Sequence, residues 1–204
     1  MWTLLIWFSC TVQTTNEQPS TSTSTKENST QEPVLDLKPQ IVILGDSLTA
    51  GLGLDIGSAY PALVEKELNT LGYSTEILNA GQSGDTTSGG LHRVDWILQQ
   101  KPDLLIVELG ANDGMRGIPL SEIEKNLHSI IKKSQNADVP IFLMDMYIPP
   151  SFGKEYSDGF HKIFAKVATE NNIPLLPFIL KDVVGKPELN QADGIHPTVE
   201  GHEI

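Results

Sequence analysis

Four short polar segments carry residues that could catalyse acyl transfer. In the first, Ser47 follows the apolar run 41–44, with Gly45 before it and Gly51 after it. A nucleophilic serine needs an open approach for its substrate and backbone N–H groups near the developing oxyanion, and small neighbouring residues favour both. A serine after a strand is also a common turn or helix-capping residue, so Ser47 alone does not establish a catalytic site.

A second segment places an acid and a base close together near the end of the chain. Asp193 and His196 are three residues apart in Asp-Gly-Ile-His-Pro, so their side chains can meet within a single turn. The aspartate could then orient the imidazole and fix its tautomer, which leaves the other ring nitrogen free to act as a base. The alternative is a surface turn, because Asp-Gly and His-Pro are both typical of turns.

Two further segments could supply hydrogen-bond donors for an oxyanion. Asn112 follows the apolar run 104–109, and its side-chain amide is a donor. Gly84 follows the strand-like run 74–79, and its N–H has no side chain in the way. Either residue could equally belong to an ordinary turn, so the four segments gain significance together rather than singly.

Strand-like and helix-like patterns alternate from about Pro39 onward. The strand-like runs are 41–44, 74–79, 104–109, 140–146 and 173–178. Apolar residues recur at helical spacing in 60–71, 91–98, 123–131 and 156–167. Ser121 and Glu124 predict a capping box for the third helix.

This alternation predicts one α/β domain whose parallel sheet is covered by helices on both faces. Ligands of such sheets bind beyond the carboxyl ends of the strands. Three of the four polar segments directly follow a predicted strand, and we expect all four to meet at this edge. The fold class therefore brings together residues that carry little weight separately.

The same segments resemble the conserved blocks of the SGNH (GDSL-type) hydrolase family, in its thioesterase I/arylesterase/lysophospholipase-like branch. The matching stretches, in order, are GDSLTAGLG, NAGQSGDTTSGG, LGANDGMRG and DGIHP, which together span residues 41 to 197. The resemblance implies a three-layer α/β/α fold with a five-stranded parallel sheet, the flavodoxin-like SGNH hydrolase fold. It also implies hydrolysis of carboxylic esters or thioesters through an acyl-enzyme, without a cofactor or metal.

Carried over residue by residue, the resemblance implies a role for five positions. Ser47 would be the nucleophile, His196 the general base and then acid, and Asp193 the residue that orients His196. The oxyanion hole would consist of the Ser47 N–H, the Gly84 N–H and the Asn112 side-chain amide. Such a hole stabilises a tetrahedral intermediate, and the loss of one donor costs about 3 kcal/mol.

The substrate pocket is expected in two loops that follow the third and fourth strands. Their apolar residues are the pocket candidates Met115, Ile118, Pro119 and Phe152. An alternative within the same chemistry is a carbohydrate-ester deacetylase. A more distant alternative is a catalytically inactive binding module, although such a module would be expected to lack one of the four blocks.

Two other enzyme classes fit the sequence less well. Gly51, Gly53 and Gly57 follow the first strand, but the third glycine comes one residue late for a dinucleotide-binding loop. A metal-dependent hydrolase would lack the usual paired-histidine spacing. Its available ligands would be Asp46, Asp113, Asp193, His196 and His202.

The charge of the chain bears on its partners. Lys and Arg number 14 and Asp and Glu number 26, which gives a net charge of −12, and there is no basic cluster. Attraction to nucleic-acid phosphates or anionic lipid is therefore disfavoured. We expect a monomer that acts on a small-molecule acyl ester or thioester, with no nucleic-acid partner.

The first 38 residues differ in composition from the rest. Residues 1–10 form a signal-like apolar segment that ends at the single cysteine, Cys10, and is too short to span a bilayer. Residues 11–38 are rich in Ser and Thr and predict a disordered tether. Together they resemble a bacterial lipoprotein signal, which predicts a cell-envelope location and a membrane tether through lipidated Cys10. The alternative is a cleaved secretory signal with an incidental cysteine.

Residues 39–204 are expected to form the hydrolase domain. The resemblance implies that a closing helix follows the loop that carries His196, and residues 198–204 supply only the start of such a helix. The C-terminal helix is therefore expected to be truncated.

Overall fold

The computed structural model describes residues 38–204, so the predictions for segment 1–10, for Cys10 and for nearly all of 11–38 lie outside the described residues. Five parallel strands form one sheet. The strands are β1 (Gln40–Gly45), β2 (Glu76–Gly81), β3 (Leu104–Glu108), β4 (Ile141–Met144) and β5 (Leu175–Leu176). Their order across the sheet is β2-β1-β3-β4-β5.

The strand order places a topological switch point between β1 and β3. The chain leaves β1 outward to β2, and then crosses back to pair β3 with the other side of β1. The loops after β1 and β3 therefore diverge in opposite directions and leave a crevice at the carboxyl edge. Ser47 follows β1 and Asn112 follows β3, so the switch point lies beneath two of the predicted site residues.

Helices connect the strands and cover the sheet. They are α1 (Ser47–Ala50), α2 (Tyr60–Thr70), α3 (Thr87–Leu98), α4 (Ala111–Met115), α5 (Leu120–Asn136), α6 (Lys154–Glu170) and α7 (Val199–His202). Short 3₁₀ turns occur at Ile56–Ser58, Pro150–Phe152 and Pro187–Leu189. No helix within residues 38–204 has the length and apolar character needed to cross a membrane.

The main hydrophobic core lies on one face of the sheet. Val42 and Leu44 of β1 pack there with the buried sides of α3, α5 and α6. Phe160 and Phe164 of α6 meet edge to face in this core, with ring centroids 5.2 Å apart. Ile43 points to the opposite face because side chains alternate along a strand, and α1 and α2 pack on β2 there. The expected three-layer α/β/α arrangement is confirmed.

Proline shortens the fifth strand relative to the sequence prediction. The run 173–178 was expected to be a strand, but only Leu175–Leu176 pairs with β4. Pro174 and Pro177 flank this pair and lack the N–H that a ladder hydrogen bond needs.

The predicted capping box at the start of α5 is wrong. The helix begins at Leu120, directly after Pro119, and its first turn has no side-chain cap. Ser121 is therefore already inside the helix. Glu124 instead accepts a hydrogen bond from Lys166 of α6, which links two neighbouring helices.

The end of β2 approaches α1 more closely than any residue with a side chain allows. A Cβ atom at Gly81 would lie 2.2 Å from the backbone nitrogen of Ala50. Asn79 joins the same two elements, because its Nδ2 donates to the Thr49 carbonyl at 2.7 Å and its Oδ1 accepts from the Gly81 N–H at 2.9 Å. Gly81 therefore helps to set the position of the helix that carries Ser47.

We expect Gly81→Ala to push α1 away from β2, because the clash involves backbone atoms that cannot rotate aside. The free energy of unfolding should fall by about 2 kcal/mol, and ester hydrolysis should fall with it. Urea denaturation and an ester assay would measure both effects. Gly57→Ala is the matched control, since nothing lies within 4 Å of a Cβ there; equal stability of the two variants would contradict the close contact.

Candidate active site

Ser47 is the first residue of α1, at the carboxyl end of β1. Asp46 is the N-cap, and its Oδ1 accepts a hydrogen bond from the Leu48 N–H at 3.0 Å. Gly51 ends the helix in the left-handed conformation at φ 70°, which a residue with a side chain rarely adopts. This single turn of helix, capped at both ends, fixes the direction in which the serine projects.

Ser47, His196 and Asp193 form a continuous hydrogen-bond chain. His196 Nε2 lies 2.8 Å from Ser47 Oγ, and His196 Nδ1 lies 2.7 Å from Asp193 Oδ2. A carboxylate only accepts hydrogen bonds, so the Nδ1–H donates to Asp193 and the unprotonated Nε2 faces the serine hydroxyl. This tautomer can remove the hydroxyl proton.

The turn around Asp193 holds this carboxylate rigidly. Asp193 Oδ1 accepts from the Ile195 and His196 backbone N–H groups at 2.9 and 3.0 Å, while Oδ2 accepts from the His196 ring. The hydrogen bond from the ring, followed by those from the backbone, lowers the pKa of Asp193 to about 2. The carboxylate therefore stays ionised wherever the neighbouring imidazole could act as a base.

Gln191 ties the loop with His196 to the loop after α1. Its Nε2 donates to the Leu52 carbonyl at 2.7 Å and to the Pro197 carbonyl at 2.9 Å. Its backbone N–H donates to the His196 carbonyl at 2.7 Å. Gln191 was not predicted from the sequence, because a glutamine in a polar loop carries no signal of a partner that is far away in the chain.

The three oxyanion-hole candidates lie on separate loops at the carboxyl edge. Asn112 Nδ2 donates to Asp46 Oδ2 at 3.1 Å, which connects the loop after β3 to Ser47. Gly84 has a φ of 80°, and its carbonyl accepts from Arg116 Nη2 at 2.9 Å. The N–H groups of Ser47 and Gly84 have no hydrogen-bond partner within residues 38–204, so both can bind a substrate oxygen.

Arg93 of α3 fastens the ends of β1 and β2 together. Its three nitrogen donors reach the Asp85 carboxylate at 2.7 Å, the Ala80 carbonyl at 2.6 Å and the Gly45 carbonyl at 2.8 Å. The largely buried Asp85 is thereby paired with a charge. Arg93 thus holds in place the two loops that carry Ser47 and Gly84.

A buried polar network lies beneath Ser47. Glu108, fully buried at the end of β3, accepts hydrogen bonds from Thr49 Oγ1 at 2.7 Å and from the Asp46 N–H at 3.3 Å. Thr49 Oγ1 lies 2.8 Å from the Tyr60 hydroxyl. The second carboxyl oxygen of Glu108, Oε1, has no partner among the described residues. One signal was present in the sequence, namely a lone acid inside the apolar strand 104–109.

Burial shifts the titration of both carboxyl groups in this network. Desolvation raises the pKa of Asp46 to about 6, although hydrogen bonds from Leu48 and Asn112 oppose the rise. Desolvation, with repulsion from Asp46, raises the pKa of Glu108 well above its ordinary value. A proton is therefore retained close to Ser47 at a pH where an exposed acid would be ionised.

An apolar pocket of about 180 Å³ opens at Ser47 and His196. Met115 and Phe152, both expected from the sequence, line this pocket, which we call the catalytic pocket. Ile118 and Pro119 were also predicted to line this pocket, and this prediction is wrong. The chain turns away at Gly117, where φ is 66°, and Ile118 borders a different surface cavity.

Only part of the remaining lining of the catalytic pocket was expected from the sequence, namely Ile148 and Pro149 of the predicted loop after the fourth strand. Met146 at the start of the loop after β4, and Phe178 and Leu180 of the loop after β5, also line the pocket and were not expected. A pocket wall of this kind depends on which loops the fold brings together, so no local pattern could identify it.

One group of possible metal ligands occurs within residues 38–204, and it lies outside the catalytic pocket. His128 Nε2 is 3.2 Å from Glu170 Oε2 and 3.9 Å from Glu124 Oε1, on the surface of α5 and α6. Lys166 already pairs with Glu124. The ligands considered for a metal-dependent hydrolase do not form such a group in this part of the chain.

A doubly wound α/β sheet that carries a serine–histidine–aspartate chain at its carboxyl edge is the arrangement of a serine hydrolase. Residues 43–204 match the model of the GDSL-like lipase/acylhydrolase family. This match covers most of the chain, and the chain belongs to that family. The expected family and the expected ester-bond hydrolase activity are confirmed.

Named relatives resemble the chain over most of its length. An arylesterase of Vibrio mimicus is 40% identical over 162 residues, which cover 79% of this chain and 81% of the relative. The thioesterase 1/protease 1/lysophospholipase L1 of Escherichia coli is 39% identical over 158 residues, 77% of this chain and 74% of the relative. The crystal structure of the psychrotrophic esterase EstA from Pseudoalteromonas sp. superimposes with a TM-score of 0.78 at 37% identity, covering 81% of this chain and 91% of EstA.

The raised pKa of Asp46 predicts how stability depends on pH. The ordinary pKa of 3.8 becomes about 6 on folding, so the folded protein binds the extra proton. The resulting stabilisation is complete below about pH 4 and is lost as the pH rises through about 6. We therefore expect the free energy of unfolding of the wild type, relative to Asp46→Asn, to fall between about pH 4 and pH 7.

Urea denaturation across this pH range would measure the effect. Asp182→Asn removes an exposed carboxylate and controls for the change in net charge. A wild type that gains stability relative to Asp46→Asn as the pH rises would contradict the buried, protonated state.

Proposed function

We propose that this protein hydrolyses carboxylic esters or thioesters through an acyl-enzyme formed on Ser47. The observation that carries the proposal is the 2.8 Å contact between His196 Nε2 and Ser47 Oγ, with Asp193 bonded to the other ring nitrogen. The names of the arylesterase and thioesterase relatives support this substrate class. No metal or cofactor is needed for the steps below.

In the first half-reaction, Ser47 Oγ attacks the carbonyl carbon of the substrate as His196 Nε2 takes the hydroxyl proton. The carbonyl π electrons move to oxygen, and the resulting oxyanion accepts hydrogen bonds from the Ser47 and Gly84 N–H groups and from Asn112. Collapse of this intermediate breaks the bond to the alcohol or thiol, which leaves with the proton from His196. Water then repeats the sequence on the acyl-enzyme and releases the carboxylic acid.

Asn112 can serve the oxyanion without losing its contact to Asp46. A side-chain amide nitrogen carries two N–H groups, and one of them donates to Asp46 Oδ2. The second remains for the substrate, and the Asp46 contact restricts the orientation of the amide. We therefore assign Asp46 a positioning role for Asn112, in addition to capping the helix of Ser47.

We expect Ser47→Ala to lower turnover by about 10⁶-fold, because the nucleophile is lost while binding is retained. A fluorophosphonate probe should label the wild type at Ser47, as suggested by EstA, which was solved in a form inhibited by monoethylphosphonate. Mass spectrometry of the labelled peptide would identify the residue. Ser83→Ala is the matched control, since Ser83 is an exposed serine flanked by Gln82 and Gly84. Labelling that persists in Ser47→Ala would refute the assignment.

The acyl donors that are cleaved would separate the alternatives within this chemistry. Aryl esters and acyl thioesters with chains longer than acetyl test the proposed activity, and acetylated sugars test the carbohydrate-ester deacetylase. The apolar lining of Met115, Met146 and Phe152 favours the former. A protein that takes up these esters without Ser47-dependent turnover would instead be an inactive binding module.

We also propose, from the sequence alone, that the protein is bacterial and tethered to the cell envelope through lipidated Cys10. Two acyl chains on one residue hold a protein stably at a membrane, at about 0.8 kcal/mol per buried methylene. The full chain should therefore fractionate with membranes, and Cys10→Ser should move it to the soluble fraction. Ser47→Ala retains Cys10 and is the matched control. An unmodified Cys10 in membrane-free protein would contradict the tether.

A further inference from the structure

A second and larger cavity adjoins the catalytic pocket. This outer cavity has a volume of about 650 Å³, and Pro150, Pro177 and Lys181 line it without reaching the catalytic pocket. Its lining is mainly apolar, with Asp145 and Lys181 as the charged exceptions. The proposed catalytic steps do not use this outer cavity, although it borders the pocket that contains Ser47.

The two cavities share a wall. Tyr147, Ile148, Pro149, Phe178 and Val184 line both of them. The rings of Tyr147 and Phe178 lie 5.0 Å apart, tilted at 50° to each other. This aromatic pair therefore lies where a chain leaving the catalytic pocket would enter the outer cavity.

Of the two rings, Tyr147 is the one that could move. Its side chain is 45% exposed, and it stacks on His161 with ring centroids 3.9 Å apart. Its hydroxyl group interacts with the carboxylate of Asp145, which also lines the outer cavity. By contrast, Ile148 is buried in the main core. The wall thus combines a buried base at Ile148 with one exposed ring, which is held by stacking on His161 and by its hydroxyl contact with Asp145.

The size of the catalytic pocket limits the acyl chain that fits behind the wall. If a methylene takes about the volume of a water molecule, roughly 30 Å³, then 180 Å³ holds about six non-hydrogen atoms. An acyl chain of eight or more carbons would have to pass Tyr147. The outer cavity has ample room for the remainder.

The chain that reaches the wall would be the acyl chain rather than the leaving group. His196 must protonate the leaving group, so that group lies on the side of the exposed turn with Gly194 and Ile195. The acyl chain then points to the opposite, buried end of the pocket. Met146 and Ile148 are buried residues of the pocket lining, and they are the sequence neighbours of Tyr147.

We propose that Tyr147 is a partition that sets the acyl-chain length of the substrate. With the ring stacked on His161, the enzyme favours chains of about six carbons or fewer. Removal of the ring joins the catalytic pocket to the outer cavity and admits longer chains. This inference rests on the proposed function, because it specifies the substrate of that same site.

The test compares kcat/KM for p-nitrophenyl decanoate and butyrate in the wild type and in Tyr147→Ala. A decanoyl chain extends about four carbons beyond the six-carbon limit, and each methylene newly buried favours binding about fourfold. Burial of two of these four should raise the decanoate-to-butyrate ratio about sixteenfold, and burial of more should raise it further. Tyr147→Phe keeps the ring and should keep the wild-type ratio. Tyr73→Ala makes the same truncation at a 63% exposed tyrosine outside both cavities and should also keep it.

A second variant should narrow the passage between the two cavities and therefore shift the decanoate-to-butyrate ratio in the opposite direction. Val184→Trp adds a large ring to a residue that lines both cavities and should lower the decanoate-to-butyrate ratio. Val184→Trp also tests the proposal if Tyr147→Ala does not fold. A thermal melt of Tyr147→Ala beside Tyr73→Ala would show whether it folds.

Three results would count against the proposal. A folded Tyr147→Ala with an unchanged ratio would overturn the partition while leaving the proposed function intact. A change in preference for the alcohol chain, at constant acyl length, would assign the outer cavity to the leaving group instead. Absence of Ser47-dependent hydrolysis of every ester would overturn the proposed function, and the partition with it.

Discussion

The hydrogen bond between His196 Nε2 and Ser47 Oγ joins residues that are 149 positions apart in the chain. The local backbone fixes the position of each partner independently. Ser47 begins a capped turn of helix, and His196 is held by the turn at Asp193. The contact therefore exists only if the sheet places both loops at the same edge to within about 0.5 Å. Gln191 supplies a direct link between those loops through Leu52.

The polar layer beneath Ser47 shows why such accuracy costs stability. Glu108 and Asp46 are buried carboxyl groups, and both resist ionisation because water has been removed around them. A core built for stability alone would place apolar residues there. Their hydrogen bonds with Thr49 and Asn112 instead connect α1, β3 and the loop after β3 around Ser47. The site thus combines an unfavourable burial of two carboxyl groups with a fixed geometry around Ser47, and functional sites commonly show this combination.

The sequence predicted the chemistry of the site better than its surroundings. Local patterns located the strands, although the fifth is shorter than predicted, whereas Ser47 and the Asp193–His196 turn gained a role only from the four segments taken together and from the family resemblance. The lining of the catalytic pocket could not be predicted in this way, since Met146 and Phe178 meet there only after folding. Glu108 is an intermediate case: an acid inside an apolar strand signals a buried role, but not its partners.

The proposed catalytic residues and the pocket lining are held in different ways, and this affects which of them can be altered by substitution. Ser47, Asp193 and His196 are held by capped turns and by side-chain links from Gln191 and Arg93, none of which involves Tyr147 or Phe152. The pocket wall at Tyr147 and Phe152 consists of exposed loop side chains, whose replacement alters volume without altering backbone hydrogen bonds. Substrate preference can therefore change while the reaction stays the same. The fold separates the two properties by assigning one to strand ends and the other to loop surfaces.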